Sequence, residues 1–511
     1  MKKWIALFLS LVLLLSLAAC GGAPAVEEPA DQPVDVPAVE EPADAPADEP
    51  AEAPAEEREH VTLSFYARVN EQPDEATVFA AFNEYCEEKL NTTVEWNFLG
   101  GTFSDKVAVM INSGEQYDAV WTSNWQNDYA TNVARGAYVD LTDMLVDYPE
   151  LYASMPQGFW DATKIEGRIY AVPCQQIAAR SPAMSVITEY AEAFGMTREQ
   201  QLEKHRLADF EEYIQFCFEN YGAKVQPYSF SNIDRVCGYE FLNGQTSAIA
   251  VKVGDPECKV VNLYATEEFK ESCNEMAYLY EQGWLDPDLE LNTDYMRSEM
   301  IAGRVSLTCG GTFKPGGEAE ESNTYGIGMR QTPMGETLMN TDAIIATMWS
   351  ISSTSEHPDR ALEVLALLST DAYAMQLISF GVEGVHYTVN GEGFMEIIPD
   401  AGFNPSQSWA MGNVFLTTPM VGQPANVWEE TAELNANANV STLIGYTFSV
   451  ANVEAEVTNV TGVVEEYKAV ACGGLPVEET LEAFNAKLEA AGIDVLIAEA
   501  QAQIDAFLAS K

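Results

Sequence analysis

The sequence predicts an α/β protein built from two lobes, and three observations carry that prediction. Residues 61–122 read strand, helix, strand, helix, strand, the alternation that builds a mostly parallel sheet with helices on its faces. The long remainder contains no single dominant apolar block, which suits two cores joined by crossing strands. The chain ends on two amphipathic helical patterns.

Composition bounds what such a protein does. Its 511 residues hold 26 Lys+Arg against 79 Asp+Glu, a formal net charge of −53. That length allows two to four units at about 100–200 residues each. A hydrophobic fraction of 47% excludes global disorder. The acid excess argues against nucleic acid, because a phosphate backbone needs Lys and Arg to displace its counterions. It argues equally against an anionic membrane surface, except at a local basic patch. With 4 His in the chain, no His-rich metal cluster is available, and no cofactor is expected.

Taken in order, Lys2 and Lys3 precede the apolar run Trp4–Ala19, too short for a comfortable span of about 20 residues. The run ends in Leu17-Ala18-Ala19-Cys20. Residues 21–59 follow, an Ala-Pro-acid repeat without an aromatic residue. It buries too little apolar area to offset its ordering entropy, so it is expected to stay disordered as an extended tether.

Beyond it, Val61–Ala67 alternates β-formers. Asp74 is placed to cap a helix with Phe79, Phe82, Cys86 and Leu90 at helical spacing. Thr92–Phe98 reads as a strand, Phe103–Ser113 as a helix stopped near Gly114, and Asp118–Thr122 as a third strand. Further helices are expected over Leu207–Tyr221, Thr266–Glu281 and Pro358–Leu368. Val305–Thr308 and Ile344–Ser350 read as buried strands. The last two helices cover Val477–Ala491 and Ile493–Ser510, separated near Gly492. Candidate crossings are Met184–Tyr190, 296–305 and 345–352. They assign 60–183 with about 296–345 to the first lobe, and about 184–295 with 346–402 to the second.

Chemistry is sparse. No His-Glu-x-x-His, Gly-x-Ser-x-Gly, Walker loop or dinucleotide fingerprint occurs. Asp286-x-Asp288-x-Glu290-x-Asn292 starts like a calcium loop but has Leu291 at the sixth position and Arg297 at the twelfth, so it reads as an element boundary. Apart from Cys20, eight Cys remain without a Cys-x-x-Cys pair. Small buried thiols are favoured over disulfides.

The aromatics say more. In an open parallel sheet, ligands sit outside the carboxyl ends of strands. The first strand ends in Tyr66, Arg68 and Asn70; the third runs into Trp121, Thr122, Asn124, Trp125 and Asp128. Aromatic faces stack on sugar rings while Arg, Asn, Asp and Thr bond hydroxyls, so these residues suit a neutral polyhydroxylated ligand. For Trp121 and Trp125 the competing reading is core packing.

Several runs resemble the family 1 extracellular solute-binding proteins of carbohydrate importers of the ATP-binding-cassette type. Leu17-Ala18-Ala19-Cys20 resembles the bacterial lipobox, with cleavage before Cys20 and lipidation of its thiol. Met110–Asp118 looks like the family's M-x-x-S-G-E-x-x-D run. Phe159–Pro173 looks like its G-K-I-Y-A-V-P region with Arg168 for Lys, and Ser353–Leu362 resembles its S-x-x-P-E-x-A run. Gly381-Val382-Glu383-Gly384-Val385-His386-Tyr387 resembles the G-I-E-G-x-H-Y of the LplA-like lipoprotein branch, and Phe403–Lys511 that branch's C-terminal extension of unknown function.

The resemblance implies a periplasmic-binding-protein fold: two lobes with mostly parallel sheets, hinge strands between, and a helical extension, 403–511, packed on the second lobe. It implies a lipid-anchored monomer outside the cytoplasmic membrane of a Gram-positive cell. That monomer captures a sugar or oligosaccharide without turnover and delivers it to the permease subunits of an ABC transporter. Tyr170, Trp349, Glu383 and His386 join the expected ligand-binding set; Trp349 is expected to face the cleft from the second lobe, and Glu383 and His386 either line the cleft or brace the hinge. The alternatives are a surface-anchored glycoside-cleaving enzyme and a receptor for a peptide or other solute.

Overall fold

The computed structural model describes residues 58–510. The signal-peptide and lipidation readings, with the tether as far as residue 57, lie outside the described residues. The tether was expected to reach residue 59. Arg58 instead forms an ion pair with Glu363, and Arg360 donates to the Glu59 carbonyl at 2.9 Å, so these two residues belong to the folded body.

The first sheet forms as its alternation predicts. Strand β1 (Val61–Ala67) buries every second side chain, and β2 (Thr92–Phe98) does the same. Helix α1 (Glu75–Leu90) connects them and packs on the sheet with Val78, Phe82 and Cys86 inward. Helix α2 (Phe103–Ser113) ends at Gly114, whose φ of 67° closes the helix in the left-handed conformation. Strand β3 (Ala119–Thr122) is buried on both faces. With β4 (Val172–Pro173) and a late strand, Met348–Ile351, the sheet order is β2-β1-β3-(348–351)-β4.

The second sheet contains β5 (Pro182–Ile187), β6 (Lys224–Tyr228), β7 (Val305–Thr312) and β8 (Met329–Pro333), in the order β8-β5-β7-β6. The late strand of the first sheet is β9. Each sheet carries one reversed strand: β5 is antiparallel to β7 and β8, and β9 to β3 and β4. Both reversed strands follow a crossing between the cores. A chain arriving from the other core enters at the edge where the remaining strands end, so it must run against them.

This topology corrects the lobe assignment. Residues 305–333 were expected in the first lobe, yet β7 and β8 bond to β5 and β6 in the second sheet. Residues 346–380 were expected in the second, yet Trp349, Leu362, Leu365 and Ile378 lie in the first core with Phe65 and Trp121. The crossings shift accordingly to 174–182, 334–347 and 414–443. They run side by side: Arg180 and Leu338 form an antiparallel bridge, and Leu338–Met339 pairs in parallel with Asn439–Val440. An apolar run reports that a strand is buried, not which sheet it joins, which is why 296–305 looked like a crossing.

The extension 403–511, expected on the second lobe alone, divides between the cores. Phe403, Ala410, Met411 and Val414 pack into the first, while Val460, Val464, Phe484, Leu488, Leu496 and Ile504 pack into the second. Among the described residues no disulfide forms and all eight cysteines are buried; burial pushes the Cys86 and Cys174 thiols up to about 12. The calcium-like run is the start of two helices, Asp288–Leu291 and Thr293–Ile301, with Asp286 accepting from the Tyr295 hydroxyl at 3.1 Å.

Candidate functional site

The carboxyl ends of β1 and β3 meet the second crossing, and there the first core opens into a shelf. Trp125 is 52% exposed, the most open Trp side chain in the described chain. Its ring lies 5.0 Å from the Arg68 guanidinium, which also sits 5.6 Å from the Trp409 ring. A planar guanidinium beside two indoles is held by cation–π attraction. Gln126 fixes it further, accepting from Arg68 Nε at 2.8 Å. Burial lowers the Arg68 pKa, but the group stays cationic at neutral pH.

The loop carrying Trp125 is anchored to the crossing. Its Nε1 donates to the Ala346 carbonyl at 2.8 Å, and the Asn124 backbone N–H to Ile345 at 3.2 Å. Asn70 is drawn in from the other side, its backbone N–H donating to Gln407 Oε1 at 2.8 Å, while Gln407 donates to the Arg68 carbonyl. The shelf therefore has a fixed floor and an open indole face.

Beside it lies a charged cluster drawn from both cores and two crossings. The Asp342 carboxyl is raised by burial, against the opposing effect of Asn124, Arg235 and Arg180. Asp234 is pushed up to about 6, chiefly by burial, despite neighbouring Arg235 and the Phe241 N–H. Arg180 falls to about 10, through burial and then the repulsion of Arg235. Asn124 Oδ1 and Arg235 Nε are buried and make no hydrogen bond within the protein. Orphaned polar atoms at this depth carry a desolvation cost of about 1–3 kcal/mol each, which a hydroxyl-bearing ligand would recover.

The expected residues thus separate. Arg68, Asn70, Asn124 and Trp125 come together at the shelf. Trp121 lies four residues from Trp125 but is fully buried, donating to Thr347 Oγ1 at 2.8 Å and packing edge-on against Phe103. Thr122 is buried and donates to the Asn127 carbonyl at 2.6 Å. Asp128 caps the helix Tyr129–Ala134, accepting from the Thr131 N–H at 2.8 Å, and borders a cavity of about 270 Å³ between that helix and α2, away from the indoles. Tyr66 packs edge-on against Tyr117 and faces Lys106 of α2. Tyr170 packs at the margin of the first core.

Trp349 is a correction. It was expected to face the cleft from the second lobe; it lies in the first core, 1% exposed, wedged against Phe65 and Trp96 and donating to the Ala410 carbonyl at 2.9 Å. Glu383 is exposed on a turn outside the shelf. His386 is fully buried: the Val382 N–H donates to its Nδ1 at 2.9 Å, so Nε2 carries the proton and donates to Asp74 at 3.1 Å. It braces the 381–387 turn against the start of α1.

Sequence reasoning missed Trp409, Gln126, Arg180, Arg235 and Asp342. Arg235 had a signal: the rule that drew attention to residues after β1 and β3 applies equally to Phe230–Arg235, which follow β6. Trp409 had none, since its neighbours in sequence form a turn and its partner Arg68 lies far off in the chain.

The architecture is the periplasmic-binding-protein type. The crystal structure of the N-glycan transport solute binding protein NgtS from Streptococcus pneumoniae matches with a TM-score of 0.78 at 19% identity, covering 88% of this chain and 99% of that one. NgtS in complex with Man5GlcNAc matches at 0.70 and 20%, covering 89% and 99%. An extracellular solute-binding protein from Bifidobacterium longum subsp. infantis matches at 0.61 and 14%, covering 87% and 98%. In sequence, the chain is 22% identical over 475 residues to a carbohydrate ABC transporter substrate-binding protein of Streptococcus pneumoniae serotype 4, spanning 87% of this chain and 90% of that protein. Residues 442–509 match a domain of unknown function, DUF3502. The likenesses in fold and sequence extend along nearly the whole described chain.

Proposed function

We propose that this protein is the substrate-binding component of a carbohydrate ABC importer, capturing a sugar or oligosaccharide between its two lobes and passing it to permease subunits. The observation that carries the reading is the open Trp125 face beside Arg68 and Trp409 at the carboxyl edge of the first sheet. An indole face covers the apolar side of a pyranose, and the guanidinium, the Asn124 carbonyl and the Arg235 N–H serve its hydroxyls. Three side-by-side crossings let the cores move as bodies, and a ligand touching both shifts the balance toward closure by its differential affinity. The neighbouring proteins support the reading, being transport receptors, and in one case captured with Man5GlcNAc.

The reading includes anchoring by lipid on Cys20, an extracellular position in a Gram-positive cell, a monomeric state and no turnover. Titration calorimetry of the purified chain against neutral oligosaccharides tests it: saturable binding with ligand recovered intact is expected. Cleaved ligand would instead favour the glycosidase alternative, and binding of peptides alone would favour the peptide receptor.

A further inference from the structure

A groove of about 770 Å³ has its two walls carried by different cores. One wall is the segment after β7, Phe313 to Gly316, with Arg198 and the start of the helix Gly317–Tyr325. The other is the loop 422–424 and the helix Val427–Ala436. That helix is carried by the first core: Trp428 stacks on Phe415 and donates to the Thr417 carbonyl at 2.6 Å. Asn435 clamps it to the first crossing, accepting from the Ala178 and Ala179 N–H groups at 2.8 and 2.9 Å.

The walls meet at two glycines in the left-handed conformation, Gly316 and Gly422. A Cβ on Gly316 would stand 3.0 Å from Val427, and one on Gly422 3.2 Å from Ala319. The lining is not that of a core. Phe313 is half-buried, belongs to neither core, and makes no ring contact among the described residues. Glu430 and Glu433 lie one turn apart, and their carboxylates make no hydrogen bond or ion pair among the described residues. The cations are already engaged, Lys314 with Glu320 at 2.7 Å and Arg198 with Glu318.

We infer that this groove is a second sugar subsite, taking a distal arm of a neutral oligosaccharide. The inference rests on the carbohydrate reading above and deepens it. The free Phe313 ring supplies a stacking face, the two unpaired carboxylates accept from hydroxyls, and their charge disfavours anionic sugars. The volume is within the range that ligand pockets occupy, about 300–1,000 Å³. Because its walls ride on different cores, an arm lodged there also favours the closed state.

The test is titration calorimetry of the full chain against neutral oligosaccharides from disaccharide to octasaccharide, Man1GlcNAc and Man5GlcNAc included. Wild type is compared with Glu430→Gln/Glu433→Gln and, separately, Phe313→Leu. The expected result is an affinity loss of about tenfold for the longer members, with the disaccharides unchanged. Unchanged affinity at every length in both variants would overturn the subsite while leaving the carbohydrate reading standing. An equal loss at all lengths would overturn the distal assignment, because the groove would then hold the primary sugar. Binding of no member by wild type would overturn the carbohydrate reading itself, and the subsite with it.

Discussion

The stretch that ends β3 and the turn at 381–387 were the two most suggestive parts of the chain, and the structure treats them in opposite ways. At the end of β3, Trp121 is consumed by the core and Trp125, four residues on, stands 52% exposed beside Arg68. At 381–387 the buried polar side chain is fully used and Glu383 is left to solvent. His386 is buried with both ring nitrogens engaged, and Gly381 holds a φ of 84° with the His386 ring against its α-carbon. A distinctive run can mark a place where every atom is sterically determined. A binding place is better marked by side chains held in position with an unused face.

Breaking the β3 side at its buried member gives the largest expected effect. Trp121→Ala removes an indole packed against Phe103 and Trp409 and takes one partner from the Thr347 hydroxyl, which keeps the Trp409 carbonyl. A loss of about 3–5 kcal/mol in denaturant unfolding is expected. Retained stability would mean that Trp121 is not the core member of the pair.

The turn can be broken at Gly381. A Cβ there would lie 2.6 Å from His386 Nδ1, and the backbone conformation is one that L side chains rarely adopt. Gly381→Ala is expected to cost about 1–3 kcal/mol, read in the same unfolding experiment, with sugar affinity unchanged. A variant that keeps its stability but loses affinity would move the turn from brace to site.

Much of this contrast was legible in advance, and the remainder has physical reasons. The strand–helix alternation of 61–122 and the two C-terminal helices fell where periodicity put them, because one-sided burial imprints a period on sequence. The shelf was half legible: Arg68 and Trp125 follow strand ends, but Trp409 meets them only through tertiary packing. Trp349 could not be sorted by pattern, because a strand buried on both faces presents no polar side. The exchange of 305–333 and 346–380 between lobes has the same origin.

The charged cluster beside the shelf sharpens the comparison, since unlike the His386 brace it keeps a cost. Asp234 titrates near 6 in the folded chain against 3.8 for the free side chain. Between those values the folded state holds more protons than the unfolded, so stability falls as pH rises through the window, and the full cost is present above about 6. Asp234→Asn keeps an acceptor for the Phe241 N–H. It is expected to gain on the order of 1–2 kcal/mol at pH 7 and nothing below about pH 4. A gain that persists undiminished in acid would show that ionisation of Asp234 is not the source.

The smallest expected change in stability, and the one that decides the function of the shelf, belongs to Trp125. Truncation to Ala removes a half-exposed ring, one hydrogen bond to Ala346 and one of the two indoles beside Arg68. The guanidinium keeps Trp409 and Gln126, so the fold should unfold within about 1 kcal/mol of wild type. If the ring face stacks on a sugar, affinity should fall by about tenfold, the scale of a single stacking contact. Trp125→Phe separates the two roles of the indole: it keeps an aromatic face but cannot donate to the Ala346 carbonyl. Recovery of most of the affinity in the Phe variant, measured by titration calorimetry, is the expected result. Equal losses in both variants would show that the loop anchor matters rather than the face. Wild-type affinity in the Ala variant would remove Trp125 from the site and leave the groove beside Phe313 as the place to look for the first sugar.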